Sequence, residues 1–309
     1  MSSVLPRMGH KWKTGFVRSE ADRTSIRYAL WQAGEKPARR AIVFLNGRTE
    51  WLEKYQFIPD LLQVDDETCV LSWDHRGQGG SGGERSHVDH YDQFCDDGWT
   101  VIQKALDPDL PFSMVGHSMG ALIALYGTLK GIFNPQVLIL SSPLLAMPRK
   151  PLQPLLARPL ARALSRTPLQ SQPVSAYNLA KMDFIDNPFT HSAEHFARIK
   201  ASPFIVPGPS FGWIHASFEA IAAVFDPDLL KNLRAPVLAL GAAEETIVDP
   251  EGIPAWIKAA NRYASVPVNW HRIPDARHEM FVEVSAVQEK VAWYTMDWLK
   301  DHGFEAQAP

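Results

Sequence analysis

A serine with a glycine two positions away on either side, Gly116-His117-Ser118-Met119-Gly120, stands between an apolar run (Phe112 to Val115) and a small, apolar, helix-compatible run. Strand, tight turn, helix is the setting in which such a serine becomes a nucleophile. The turn strains the backbone at Ser118, and only small residues fit where Gly116 and Gly120 stand. The hydroxyl is then held clear of the chain at the start of a helix, where peptide dipoles and the Met119 N–H favour an oxyanion. A serine hydroxyl is a weak nucleophile without a base, and the base needs an acid to hold its tautomer. His278, in Pro274-Asp-Ala-Arg-His-Glu-Met280, fits the base. The acid falls in Ala242-Ala-Glu-Glu-Thr-Ile-Val-Asp249, where Glu244, Glu245 and Asp249 compete. A second oxyanion donor belongs in Asn46-Gly47-Arg48, where glycine just past a buried strand lets the chain turn and aim the Arg48 N–H.

Other chemistries find less support. Asp74-His-Arg-Gly-Gln-Gly-Gly-Ser-Gly-Gly83 holds five glycines in ten residues. It lacks a G-x-x-x-x-G-K-[ST] pattern and opens no helix, so it reads as a structural loop in which Asp74 and Arg76 bond loop backbone. Cys69 and Cys95 are the two cysteines; they form neither a metal spacing nor a disulfide framework, which points to a reducing compartment. His191, His195 and His215 show no metal pattern, and no metal or cofactor is expected. A net charge of -3 gives no pull toward nucleic acid. With no signal-peptide core and no apolar run near membrane-spanning length, the expectation is a soluble cytoplasmic protein.

The elements that must position these residues form a series of buried strands. Ala41 to Leu45, Thr68 to Trp73, Gln136 to Ser141, Pro236 to Gly241 and Val268 to Ile273 are short and apolar or mixed. Several are continuous apolar runs, as strands covered on both faces of a parallel sheet tend to be. Residues 15 to 32 read as two short strands joined near Glu20-Ala-Asp-Arg. Helical spacing covers Tyr91 to Leu106, the run after the serine to about Lys130, and about Ser285 to Asp301. The 309 residues suit one α/β domain with an insertion.

The insertion is expected over 143–231, where seven prolines between Pro143 and Pro173 break up long helices. No Asp or Glu occurs from Leu110 through Met182, while Lys130, Arg149, Lys150, Arg158, Arg162, Arg166 and Lys181 fall in that stretch. Arg158, Arg162 and Arg166 would share one helix face, and Leu156, Leu160 and Leu164 another. Such a helix is either a lid with a solvated basic face or a surface that meets anionic lipid. Phe211 and Trp213, in Phe211-Gly-Trp-Ile-His-Ala-Ser-Phe218, are candidates to line an acyl pocket.

Together these segments resemble the α/β-hydrolase superfamily, and more narrowly its branch of bacterial lysophospholipase L2 and monoacylglycerol lipases. Leu45-Asn-Gly-Arg-Thr-Glu-Trp-Leu-Glu-Lys-Tyr55, Asp74-His-Arg-Gly-Gln-Gly-Gly-Ser81, Gly116 to Gly120 and Ala276-Arg-His-Glu279 carry the resemblance, with a weaker match at Gly208-Pro-Ser-Phe-Gly-Trp-Ile214. It implies a mostly parallel sheet with helices on both faces, a core of 1–142 and 232–309, and a helical cap at 143–231. It places the nucleophile on Ser118, the base on His278 and the oxyanion amides on Arg48 and Met119. Asn46 stands where relatives often have histidine. Relatives commonly show Asp-x-x-Val where this chain has Glu245-Thr-Ile-Val248, which favours Glu245 as the acid, with Asp249 the alternative. The resemblance implies hydrolysis of a mono-acyl lipid ester; the acid-free, basic cap itself makes Arg158 and Arg162 candidates for a phosphate-bearing headgroup and the cap a candidate peripheral contact with an anionic inner membrane. A small-ester esterase or an aminopeptidase on the same scaffold is the rival, and a ligand-binding protein that has reused the fold is a further one.

Overall fold

The structure, a computed structural model, describes residues 11–34, 37–148, 154–174, 181–204 and 207–304. Its centre is a sheet of eight strands: β1 (Trp12–Arg18), β2 (Ser25–Gln32), β3 (Arg40–Leu45), β4 (Thr68–Trp73), β5 (Phe112–His117), β6 (Leu138–Ser141), β7 (Val237–Ala242) and β8 (Val268–Ile273). They lie in the order β1-β2-β4-β3-β5-β6-β7-β8. β2 pairs antiparallel with both β1 and β4, and all other pairings are parallel. The mostly parallel sheet expected from the sequence is present, and β1 to β6 begin or end within three residues of the expected runs.

Period-two packing explains why the central strands are apolar throughout. Ala41, Val43 and Leu45 of β3 face one core, and Ile42 and Phe44 face the other. Leu138 and Leu140 are likewise separated from Ile139. Both sides must therefore be covered. Helices α1 (Ile58–Leu61) and α9 (Ser285–Asp301) cover one side, the latter through Val287, Val291 and Leu299. The other side receives α2 (Asp92–Ala105), α3 (Met119–Leu129) and α8 (Gly252–Tyr263). Helix α3 is buried along its whole length, which suits an apolar sequence with no polar stripe. Strand β8 lies at the sheet edge and is buried only at Ile273, so its sequence is mixed.

Between β6 and β7 the described residues form α4 (Pro154–Leu164), α5 (Ala193–Lys200), α6 (Phe211–Val224) and the short α7 (Pro227–Leu230). Helix α6 packs on α3 and on α4. Its Ser217 hydroxyl lies 3.0 Å from Tyr91 Oη, and Ser210, its N-cap, lies 2.9 Å from His87 Nδ1.

The glycine-rich loop is held by Asp74, whose carboxylate accepts the N–H groups of Gly80 (2.7 Å) and Leu52 (2.8 Å). Arg76 differs from the sequence reading. Its guanidinium forks onto Asp97 (2.7 Å twice) and reaches Asp22 (2.8 Å), so it ties the loop to α2 and to the β1–β2 turn through carboxylates rather than loop backbone.

Candidate active site

Ser118 leaves β5 and is the N-cap of α3, with φ +52° and ψ −115°. A conformation of this kind is unfavourable by about 1–3 kcal/mol for a residue with a side chain. It is fixed on both sides: the Ser118 N–H donates to Ser141 O (2.9 Å), and Ser118 O accepts the N–H of Leu122 and Leu144 (3.2 Å each). A Cβ on Gly120 would lie 2.3 Å from Asn46 O, and one on Gly116 2.5 Å from Ala121 Cα. The turn therefore exists only because both residues lack a side chain.

His278 comes from the loop after β8, and Glu245 from the loop after β7. His278 Nε2 lies 2.9 Å from Ser118 Oγ, and Nδ1 lies 2.7 Å from Glu245 Oε2. The other carboxylate oxygen of Glu245 accepts the N–H groups of Ile247 (2.8 Å) and Val248 (3.2 Å), which fixes its aim. With Nδ1–H donating to the carboxylate, Nε2 faces the serine as an acceptor. Burial alone would lower the His278 pKa, but the Glu245 carboxylate outweighs it, with Glu279 and Glu50 behind, and the pKa is raised. Burial would raise Glu245, yet the charge and hydrogen bond of His278 and the two N–H groups bring it below its ordinary value.

The other two acids go elsewhere. Glu244 reaches His191 Nε2 (3.1 Å), and the Asp249 carboxylate accepts the Glu251 N–H (3.2 Å) just before α8. A Cβ at Gly47 would stand 3.2 Å from Ser118 Cβ, so the chain leaving β3 passes beside the serine. This loop is pinned around Arg48. The Gly47 N–H donates to the Glu50 carboxylate, the Thr49 N–H to Gln78 Oε1 (2.5 Å), and Asn46 O lies 3.0 Å from His75 Nε2.

Ser118, Met119, Arg48 and His278 share a cavity of about 190 Å³ with apolar walls from Leu144, Met147, Phe189, Trp213, Ile247 and Val248. Trp213, proposed from the sequence, is thus in the wall, with its Nε1–H donating to Met119 Sδ (3.3 Å). Phe211 lies outside the lining. Arg158 and Arg162 lie outside it too. Helix α4 buries Ala161, which turns the arginine row outward, and Arg158 pairs with Glu219 (3.1 Å) with both side chains about half exposed. The Arg48 side chain was not singled out from sequence, yet it enters the cavity wall. Its guanidinium donates to Ser86 Oγ (3.2 Å) and Pro207 O (3.3 Å) and sits 5.5 Å over the Trp213 ring.

Two further groups escaped the sequence reading. His191 bridges Glu283 (2.9 Å) and Glu244 (3.1 Å), while the His278 and Glu279 N–H groups donate to Pro188 O and Phe189 O. These contacts fasten the segment before α5 to both the acid and the histidine loops. Glu50, Lys54 and Glu279 form a buried ion cluster. Its sequence signal was the i, i+4 pair Glu50 and Lys54 directly after the Arg48 loop, but the third member lies 225 residues away. Among the described residues no group of three or more His, Cys, Asp or Glu is arranged to hold a metal ion, and no helix is long and apolar enough to cross a membrane.

A serine on a strand-to-helix turn, with histidine and carboxylate brought up from the ends of later parallel strands, defines a hydrolase of the α/β-hydrolase fold. Residues 36–285 match the serine aminopeptidase S33 family, and the chain belongs to it. It is 29% identical over 267 residues to a probable lysophospholipase L2 of Haemophilus influenzae, covering 83% of this chain and 82% of that one. Over 283 residues it is 24% identical to a monoacylglycerol lipase of Mycolicibacterium smegmatis, covering 90% and 93%. Its fold is similar to a monoglyceride lipase of Saccharomyces cerevisiae, solved with a substrate analog, with a TM-score of 0.77, 21% identity and 97% of each chain covered.

Proposed function

We propose that the chain hydrolyses a carboxylic ester carrying one long acyl chain, through an acyl-enzyme on Ser118. The observation that carries this reading is the line Ser118 Oγ, His278, Glu245, joined at 2.9 and 2.7 Å, with Ser118 and His278 lining a largely apolar cavity. His278 takes the serine proton as Oγ attacks the ester carbonyl, and the tetrahedral oxyanion forms against the Arg48 and Met119 amides, each worth about 3 kcal/mol. The proton passes to the leaving alcohol, and water then cleaves the acyl-enzyme by the reverse roles. The relatives named as lysophospholipase and monoacylglycerol lipase support the mono-acyl substrate.

Residues 143–231 act in this reading as a cap on a core of 1–142 and 232–309, a reading supported by Met147, Phe189 and Trp213 lining the same cavity as Ser118. The outer side of the cap carries Arg158, Arg162 and Arg166 beside exposed leucines, which suits a cytoplasmic enzyme resting on an anionic inner membrane. One observation favours a second reading, a small-ester esterase. The cavity of about 190 Å³ falls short of the ~300–1,000 Å³ usual for drug-sized ligands.

Fatty-acid release from a long-chain lysophospholipid and from a monoacylglycerol, beside p-nitrophenyl butyrate, separates the two. Release from a long-chain substrate that is lost in Ser118→Ala is the expected result. Turnover of the butyrate alone would replace the proposal with the second reading.

A further inference from the structure

Two carboxylates in the cavity wall, Glu50 and Glu279, share one ammonium, that of Lys54. Lys54 Nζ donates to Glu50 Oε1 (2.5 Å) and Glu279 Oε2 (2.6 Å), and all three side chains are at most 8% exposed. Glu50 also accepts the Gly47 N–H and the Tyr55 hydroxyl (2.7 Å). Gly47 begins the turn that carries the Arg48 amide, and Glu279 is the residue after His278. Lys54 is thus the joint between the strand of chain that would hold the oxyanion and the one that holds the base.

We propose that Lys54 is a positioning residue for this site. It keeps the Arg48 loop and the His278 loop in register across Ser118, and the net negative charge of the Glu50–Lys54–Glu279 cluster acts on His278 when it becomes an imidazolium. The proposal rests on the serine-hydrolase reading above.

The charge balance follows from the surroundings. Burial would raise the Glu50 carboxyl, but Lys54 and then His117 reverse this and bring it to about 2, so Glu50 stays ionised. Burial lowers Lys54, and the two carboxylates overcome it, so it stays charged. Glu279 is raised, by burial first and by Glu50 against the pull of Lys54. The groups facing the cluster are Tyr55, His117, whose ring centroid lies 4.9 Å from that of His278, and His195 of α5, which feels the Lys54 charge. Glu245 and Ser118 complete the surroundings of His278. A buried pair that loses one partner leaves a charge with no compensation, so removing Lys54 sets two carboxylates against each other and frees the loop that Glu50 pins.

The test measures the rate of Ser118 labelling by a fluorophosphonate, and kcat/KM on a turned-over ester, from pH 5 to 9, for wild type, Lys54→Met and Glu279→Gln. Lys54→Met should lower the labelling rate and kcat by about tenfold or more with KM changed less than about threefold, because the loss falls on transition-state geometry. Glu279→Gln keeps a hydrogen-bond acceptor for Lys54 but removes the charge, so the acid limb of both profiles should move to lower pH. A purely structural role would change the melting temperature and leave the limb in place. Should Lys54→Met not fold, the Glu279→Gln limb decides. An unshifted limb, or a Lys54→Met rate within twofold of wild type, overturns the proposal. Wild type that takes no label at Ser118 would sink the serine-hydrolase reading instead, before any variant is compared.

Discussion

Glu245 and Asp249 are four residues apart, but only one of them is built into the histidine. Glu245 Oε2 meets His278 Nδ1 at 2.7 Å and its other oxygen is fixed by two backbone N–H groups, whereas the Asp249 carboxylate accepts the Glu251 N–H. Glu245→Gln should therefore cut kcat by about 10²–10⁴-fold, since the amide cannot hold the tautomer and imidazolium charge in the same way. Asp249→Asn should stay within about threefold in the same ester assay, and the reverse pattern would move the acid to Asp249. The raised His278 pKa sets the sign of the pH dependence. In the proposed mechanism His278 must be neutral to accept the serine proton, so activity should fall as pH drops through a pKa above the ordinary histidine value. At this scale the meeting of His278 with Ser118, at 2.9 Å, was legible, because the strand–turn–helix setting of the serine and the chain order of the two residues both point to it. Choosing among Glu244, Glu245 and Asp249 needed the resemblance, since spacing alone cannot say which carboxylate in a loop faces inward. Lys54 was not legible, because its partner Glu279 is brought to it only by the fold.

Helix α4 shows what periodicity can and cannot give. The spacing of Arg158, Arg162 and Arg166 against Leu156, Leu160 and Leu164 implied an amphipathic helix, and a helix is there over Pro154–Leu164, ending before Arg166. Periodicity could not say which face is buried. The structure buries Ala161 and leaves Leu155 86%, Leu156 58% and Leu160 48% exposed. Exposed leucines beside outward arginines fit a lipid–water interface, where the apolar side chains enter the acyl boundary and the guanidiniums meet anionic headgroups. A Leu155→Ser/Leu156→Ser/Leu160→Ser variant should lose cosedimentation with phosphatidylglycerol-containing vesicles by about tenfold or more, given roughly 1.5–3 kcal/mol for full burial of each leucine. Its melting temperature should barely change, because these side chains support no core. Binding equal to that of wild type, or equal binding of wild type to neutral and anionic vesicles, would leave α4 a solvated lid. Elsewhere the strands were legible from buried runs, since both faces of the sheet are covered. Helix α8 carries a signal the sequence reading did not use, since Ile253, Trp256, Ile257 and Ala260 stand at helical spacing and are its buried face, while the eight residues of α5 offer only Phe196 and Ile199.

The whole molecule carries its pH dependence in opposed parts. His75 and His117 are buried neutral imidazoles at the carboxyl ends of β4 and β5, and burial lowers them from 6.5 to about 4 and about 3. The unfolded chain binds protons on both below pH 6.5, and the folded chain refuses them until about 4 and about 3. Their contribution to stability is thus present above 6.5 and is lost as pH falls toward those values, by up to about 1.4 kcal/mol per pH unit for each group. His278 works in the other direction. Its raised folded pKa makes a contribution that is complete below 6.5 and disappears as pH rises through that pKa. The acid that protects the Glu245–His278 pair therefore strains His75 and His117, the latter beside His278, and the pH of best folding need not be that of best activity. His117 isolates this effect, because neither ring nitrogen has a hydrogen-bond partner among the described residues. His117→Phe gives up no hydrogen bond in that set, and should be within about 1.5 kcal/mol of wild type at pH 7.5. Between pH 6.5 and 4.5 it should lose about 2 kcal/mol less than wild type, measured by urea unfolding at each pH. Parallel losses in the two proteins would show that the proton uptake driving acid unfolding lies elsewhere, with His75 the next buried imidazole to replace.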